Sequence, residues 1–274
     1  MGPVELATDS CPIDILMKIM PCAQYHLELD KVMSEGEVKE NLDKHQELFK
    51  ALSSVTGLHI KDFDDVQSLY STLIAEEGYG LKLPDWTKKF YPDTLESLTE
   101  YSYIVNAYND KLKRLKGGVL LKKLLVDWHQ VAKNSTKHVD SALEHLLKSK
   151  EWIQAAAQYG DVSDERKLFV YAGHDSTITN LLSALNVWEQ QIPNYGITVM
   201  LELLKKHSTN EYGVQIFLRN STTVPPHLLT IPGCESFCPL HQLTRLVDRV
   251  IPRHLVEECK TDDPNYVPPV LGGP

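Results

Sequence analysis

Apolar residues recur at helical spacing through most of the first 160 residues of the chain. Val38, Leu42, His45, Leu48, Phe49 and Leu52 follow a Ser34–Glu37 capping box and run to Gly57, which predicts an amphipathic helix. Asp62 caps a second helix, with Phe63, Val66, Leu69, Tyr70, Leu73 and Ile74 on one face and Gly78 at its end. After a loop at Pro84, Asp85 and Trp86, the stripe Leu95, Leu98, Tyr101, Ser102, Val105, Tyr108 and Leu112 predicts a long helix from Asp93 to Lys116, ended by Gly117-Gly118. Val119 to Lys133 forms a further helix. Its apolar face (Leu120, Leu121, Leu124, Leu125, Trp128, Val131) is so wide that its surroundings must be buried, and His129 beside it reads as a satisfied polar neighbour. Asn134 to Gly160 carries another helical pattern.

The period then changes. Leu168, Phe169, Val170 and Tyr171 read as a strand buried on both faces, bounded by charges before it and by Gly173 after it. Ser176 and Thr177 are candidate caps for a helix carrying Ile178, Leu181, Leu182 and Leu185. Val199 to Leu204 and Tyr212 to Leu218 predict a hairpin around the polar stretch 205–211, and Leu240 to Val250 one more helix before Pro252. The expected organisation is an irregular lead-in over 1–22, a mainly helical region over 23–160, a sheet-containing region over 161–259 and a disordered, proline-rich tail over 260–274.

Composition narrows the function classes. The 274 residues are 42% apolar, enough for a sizeable core, and 28 basic against 37 acidic residues give a net charge of −9. That balance does not favour nucleic acid or an anionic membrane as a partner. An anionic substrate would need a local cationic pocket. No apolar run approaches the roughly 18 to 20 residues of a membrane span. The N-terminal run Ile13 to Met20 is broken by Asp14 and Lys18 and makes a poor signal peptide.

The cysteines point the other way. Of Cys11, Cys22, Cys234, Cys238 and Cys259, the pair Cys234 and Cys238 could close a short disulfide or, with His227 and His241, hold a metal; the lack of a second pair at zinc spacing favours the disulfide. Two glycosylation acceptors, Asn134 and Asn220, each begin an Asn-Ser-Thr triplet and fit a secretory route.

Candidate chemistry collects at LFVYAGHDSTI, Leu168 to Ile178. A polar pair, His174-Asp175, at the end of a buried strand stands where α/β sheets hold ligands, and the following helix aims its first N–H groups at the same crevice. A hydrogen-bonded turn pair is the competing reading of the same residues.

Taken with IPGCESFCPL (Ile231 to Leu240), LKGGVLLKKLL (Leu115 to Leu125), LPDW (Leu83 to Trp86) and VIPRHLVEEC (Val250 to Cys259), this stretch resembles the histidine acid phosphatases. That family is the branch of the histidine phosphatase superfamily that includes prostatic, lysosomal and insect venom acid phosphatases, and the likeness covers about Cys22 to Cys259. The resemblance implies an α/β, phosphoglycerate mutase-like sheet region beside a large helical region. It also implies hydrolysis of phosphate monoesters through a phosphohistidine, with no cofactor or metal and a secreted or lysosomal location. A homodimer is an open option. Carried over, His174 matches the phosphate-binding histidine and Asp175 the proton donor to the leaving alcohol. The family pattern further pairs Cys22 with Cys259 and Cys234 with Cys238, leaving Cys11 odd.

The departure from the pattern is as informative. The family nucleophile lies in Arg-His-Gly-x-Arg-x-Pro at the end of the first sheet strand, and no histidine here sits in Arg-His-Gly; the sole Arg-His is Arg253-His254. The expectation is therefore an N-terminally truncated family domain whose first catalytic strand is missing, inactive or nearly so alone. The alternative is a non-catalytic secreted member with a binding or regulatory role. An HD-type metal phosphohydrolase is disfavoured because this His-Asp follows a strand-like run rather than lying among helical ligands.

Overall fold

The computed structural model describes residues 22–135 and 167–267. The expected lead-in with Cys11, the helical pattern beyond residue 135 and the end of the tail lie outside them. Within the described tail, residues 260–267 form neither helix nor strand.

The helical region begins earlier than its sequence pattern indicates. Helix α1 (Ala23–Ser34) precedes α2 (Gly36–Lys44) and α3 (Gln46–Thr56), where one helix from Ser34 to Gly57 was expected. Ser34 is not a capping residue: it ends α1, and its hydroxyl donates to the Lys31 carbonyl at 2.8 Å. The interruption at His45 coincides with its ring Nδ1 lying 2.8 Å from the carbonyl of Asn41, a local side-chain bond that competes with the helical ladder. Gly57 closes α3 in the left-handed conformation that glycine adopts without steric cost. Helix α4 (Phe63–Gly78) is capped as expected, the Asp62 side chain accepting from the Asp65 N–H.

The long helix expected over Asp93–Lys116 is two, α5 (Asp93–Val105) and α6 (Asp110–Leu115). Two asparagines account for the break. Asn109 caps α6 by accepting from the Leu112 N–H at 3.0 Å, and Asn106 turns its amide into a polar network described below. Gly117 and Gly118 do not end a helix either; they open α7 (Gly117–Ser135). A Cβ on Gly117 would stand 1.9 Å from the Asn180 carbonyl oxygen, and one on Gly118 would stand 2.0 Å from that of Val250. Here glycine serves close packing, because two backbones meet where no side chain fits.

Helix α8 (Asp175–Ala184) is followed by strands β1 (Thr198–Lys206), β2 (Glu211–Arg219), β3 (His227–Leu229) and β4 (Cys238–Pro239), then by α9 (Leu240–Val247) and α10 (Leu255–Cys259). The predicted hairpin is present, with Val199 opposite Leu218 and Leu201 opposite Ile216. Strands β3 and β4 both pair with β2, and every pairing among the described residues is antiparallel.

Two hydrophobic cores result. One fills the space among α1 to α6 around Tyr25, Phe49, Leu52, Phe63 and Leu95. The other joins α7, α8, β2 and α9 through Leu121, Leu125, Leu182, Ile216, Leu218 and Leu243. The expected burial of α7 is borne out: Leu121 and Leu125 are 0% exposed, and even Lys122 and Lys123 are buried. The Cys22–Cys259 disulfide ties the start of α1 to the end of α10 across 237 residues, and Cys234 pairs with Cys238.

Replacing Gly117 with alanine should push α7 away from α8 and cost about 1–3 kcal/mol of stability, the usual penalty of overpacking. Chemical denaturation of Gly117→Ala against the wild type measures it.

Candidate active site

His174 and Asp175 stand at the N-terminus of α8. His174 is the cap residue, with extended backbone, and Asp175 is the first helical residue. Thr177 completes the turn, its Oγ1 accepting from the His174 N–H at 3.3 Å while its own N–H donates to the His174 carbonyl at 3.0 Å. Expected capping by Ser176 or Thr177 is thus replaced by a cap two or three residues earlier, which leaves both side chains of the pair at the exposed end of an otherwise buried helix. Helix N-termini favour bound anions, since their first N–H groups have no helical partner.

The residues before the pair depart most from expectation. Leu168 to Tyr171 form no strand, and Leu168 and Val170 are each 81% exposed rather than buried on both faces. Apolar composition alone does not make a buried strand; a ladder partner is needed, and none exists for this stretch among the described residues.

Asp175 is held from two sides. The Ser176 N–H donates to Oδ1 at 2.5 Å, and the Tyr103 hydroxyl donates to Oδ2 at 2.6 Å. Tyr103 lies on α5, is 4% exposed and meets Trp188 edge to face at 6.4 Å between ring centroids. Burial first, then the bond to Asp175 and its charge, raise the phenol far above its ordinary range, so it remains a protonated donor. Sequence reasoning missed Tyr103, because it lies off the apolar stripe of α5 and its partner is 72 residues away. The one available signal was a large aromatic outside that stripe.

A polar network flanks this contact. Asn106 accepts at Oδ1 from the Tyr25 hydroxyl (2.8 Å) and from Lys116 Nζ (3.1 Å), and its amide donates to Asp64 Oδ1 at 2.8 Å. Lys116 Nζ also sits 4.3 Å from the centre of the Tyr25 ring, a cation–π contact. Desolvation pushes the Lys116 ammonium down to about 8, with Asp64 opposing. Asp64 keeps solvent contact although protein crowds its carboxyl; the crowding raises it, and Lys116 only partly offsets this.

The other candidates lie elsewhere. Arg253 grips Asp248 through Nη2 at 2.7 and 2.8 Å, and the N–H groups of Arg253 and His254 both donate to Glu258 Oε1, so this Arg-His pair braces the start of α10. Arg114 donates to the Arg249 carbonyl, Arg249 pairs with Asp110 at 3.3 Å, and Arg219 donates to the carbonyls of Thr222 and Val224. His129 bonds Thr244 Oγ1 at 2.7 Å. No group of histidine, cysteine and acidic residues suited to a metal occurs among the described residues, and no described helix is long and apolar enough to cross a membrane. Asn134 lies on the last turn of α7. Asn220 donates both amide hydrogens internally, to Gln191 Oε1 (2.8 Å) and the Ile192 carbonyl (3.1 Å).

Comparison with known proteins identifies the family. The pattern of the Histidine phosphatase superfamily (branch 2) matches residues 24–219. The chain is 30% identical over 232 residues to venom acid phosphatase Acph-1 of Apis mellifera, covering 84% of this chain and 53% of that protein. It is 28% identical over 263 residues to lysosomal acid phosphatase of Homo sapiens (94% and 55%). With prostatic acid phosphatase of Bos taurus it shares 30% over 238 residues (85% and 53%). The chain therefore spans about half the length of the curated relatives it matches.

Lys116 supplies a pH test of the network. Its folded-state value of about 8 lies below the ordinary 10.5, so the unfolded chain binds this proton more tightly, and stability must rise as Lys116 deprotonates. Relative to Lys116→Met, the wild type should gain about 1–2 kcal/mol between about pH 8 and about pH 10, the full linkage being reduced by solvent screening of a half-buried group. Denaturant unfolding of both proteins across that range checks the sign.

Proposed function

The chain belongs to the histidine phosphatase superfamily, branch 2, and on that premise we propose that it carries the phosphate-binding and proton-donating half of an acid phosphatase site. The observation that carries this reading is the His174-Asp175 pair, exposed at the N-terminus of α8 with Asp175 fixed by Tyr103. A protonated His174 donates to a phosphoryl oxygen, aided by the positive end of the α8 dipole. Asp175, in its neutral form, gives its proton to the departing alcohol. Both roles need protonated side chains and so belong to acid conditions. The substrate class is a phosphate monoester, and the relatives' names support a secreted or lysosomal location.

A second reading has its own support: a protein that binds phosphate esters without turning them over. The sequence has no Arg-His-Gly, and Arg114, Arg219, Arg249 and Arg253 are committed to carbonyl and carboxylate partners within the fold. Nothing in this pair can attack phosphorus in line while also binding it. Loss of a nucleophile removes a covalent route rather than slowing it. Of the two glycosylation acceptors, Asn134 is the better proposal, since a sugar on Asn220 would displace one of its two internal bonds.

Purified chain should bind inorganic phosphate at about pH 5, yet hydrolyse an aryl phosphate no faster than background. His174→Ala should weaken phosphate binding by about tenfold or more, the worth of one charge-assisted hydrogen bond. Substantial turnover that disappears in His174→Ala would overturn the absence of a nucleophile. Phosphate binding that His174→Ala leaves intact would overturn the site.

A further inference from the structure

We propose that Tyr103 is a positioning residue, a buried phenol that locks the Asp175 carboxyl in one orientation beside His174. The inference rests on the reading of His174-Asp175 as a phosphate-handling pair and adds to it a residue from a different part of the fold.

An aspartate at the first position of a helix is otherwise loosely held. Its side chain projects into solvent, and the Ser176 N–H that meets Oδ1 belongs to the next residue, so that bond constrains it only locally. The bond from Tyr103 is of another kind. It comes from α5, in the first core, and reaches α8, in the second. Its own donor is rigid, since Tyr103 is enclosed by protein and braced against Trp188. A carboxyl held at both oxygens by groups that do not move together has little rotational freedom left.

The choice of donor matters as well. A hydroxyl of serine or threonine can turn and accept, and a histidine can lose its proton. Tyr103 keeps its proton on the acid side, because burial and the adjoining carboxyl hold it in place, so it remains a donor to Oδ2. Each Asp175 oxygen thus has one fixed donor, while the carboxyl itself stays at the exposed helix end, next in sequence to His174. Tyr103 touches no reacting atom in this arrangement; it acts through Asp175.

The test uses the intact chain with aspartate labelled at the carboxyl carbon, observed by NMR during titration with inorganic phosphate. Asp175→Asn assigns the Asp175 resonance. Tyr103→Phe keeps the ring against Trp188 and removes only the hydroxyl. It should displace the Asp175 resonance before phosphate is added and lose more than half of the phosphate-induced displacement, while the affinity for phosphate, set by His174, stays unchanged. A carboxyl resonance that is the same in wild type and Tyr103→Phe, free and with phosphate, overturns the proposal. If Tyr103→Phe fails to fold, the reciprocal variant Asp175→Ala, at an exposed position, should displace the phenolic carbon resonance of Tyr103; no displacement overturns the proposal equally. The His174→Ala control separates this from the underlying reading. If phosphate moves no resonance in wild type or His174→Ala, the phosphate reading fails, and the phosphate-free spectra still decide whether Tyr103 holds Asp175.

Discussion

Gly117 brings the first turn of α7 against the carbonyl of Asn180 in α8, and Gly118 does the same with the carbonyl of Val250. Much of the rest follows from this contact. With α7 seated there, Leu121 and Leu125 reach Leu181 and Leu182, and the second core closes over β2 and α9. The same junction fixes α8 along its axis, which sets where its N-terminus, and so His174 and Asp175, must stand. A methyl group at Gly117 would move α8 by a sizeable fraction of a hydrogen-bond length. Backbone packing one turn away from the pair thereby becomes a condition on its geometry.

A polar contact joins the elements of the two cores, and a polar network stands beside it. Tyr103 carries α5 to Asp175, and Asn106, at the end of the same helix, gathers Tyr25, Asp64 and Lys116 from α1, α4 and the α6–α7 junction. Such networks are costly when half satisfied and rigid when complete. Here Lys116 lies directly before Gly117, so the group anchoring the network and the glycine seating α7 on α8 are chain neighbours. The geometry of the candidate site is thus set by the helical region as much as by the segment that carries the pair.

What could be read from the sequence divides along the same line. Two β-type runs around a polar stretch placed the β1–β2 hairpin, the Asp62 cap and Gly57 bounded helices as expected, and the apolar width of α7 foretold its burial. These are local signals. The failures at His45, Asn106 and Gly117 arise from single residues: the His45 ring trades against the ladder by bonding the Asn41 carbonyl, and Asn106 and Gly117 serve contacts with other elements. Periodicity is blind to such contacts. His174 and Asp175 were legible as a pair at a helix start, but Tyr103 was not, because no spacing rule connects residues 72 positions apart.

Leu168 to Tyr171 shows how far the pair is independent of what precedes it. Leu168 and Val170 are largely solvated, and Phe169 and Tyr171 partly so, at the point where a central strand was expected to deliver His174. Leaving a leucine and a valine largely solvated forgoes about 1.5–3 kcal/mol each relative to burial. An exposed apolar run next to the pair is also an edge that other chains can join. Yet α8 is buried from Thr179 onward, its first turn is closed by Thr177, and Asp175 is tied to Tyr103. The restraints on His174 and Asp175 therefore come from the helix side. A strand pairing with Leu168 to Tyr171 would add burial and a second neighbour for His174, but it would meet an Asp175 carboxyl already bonded from α5.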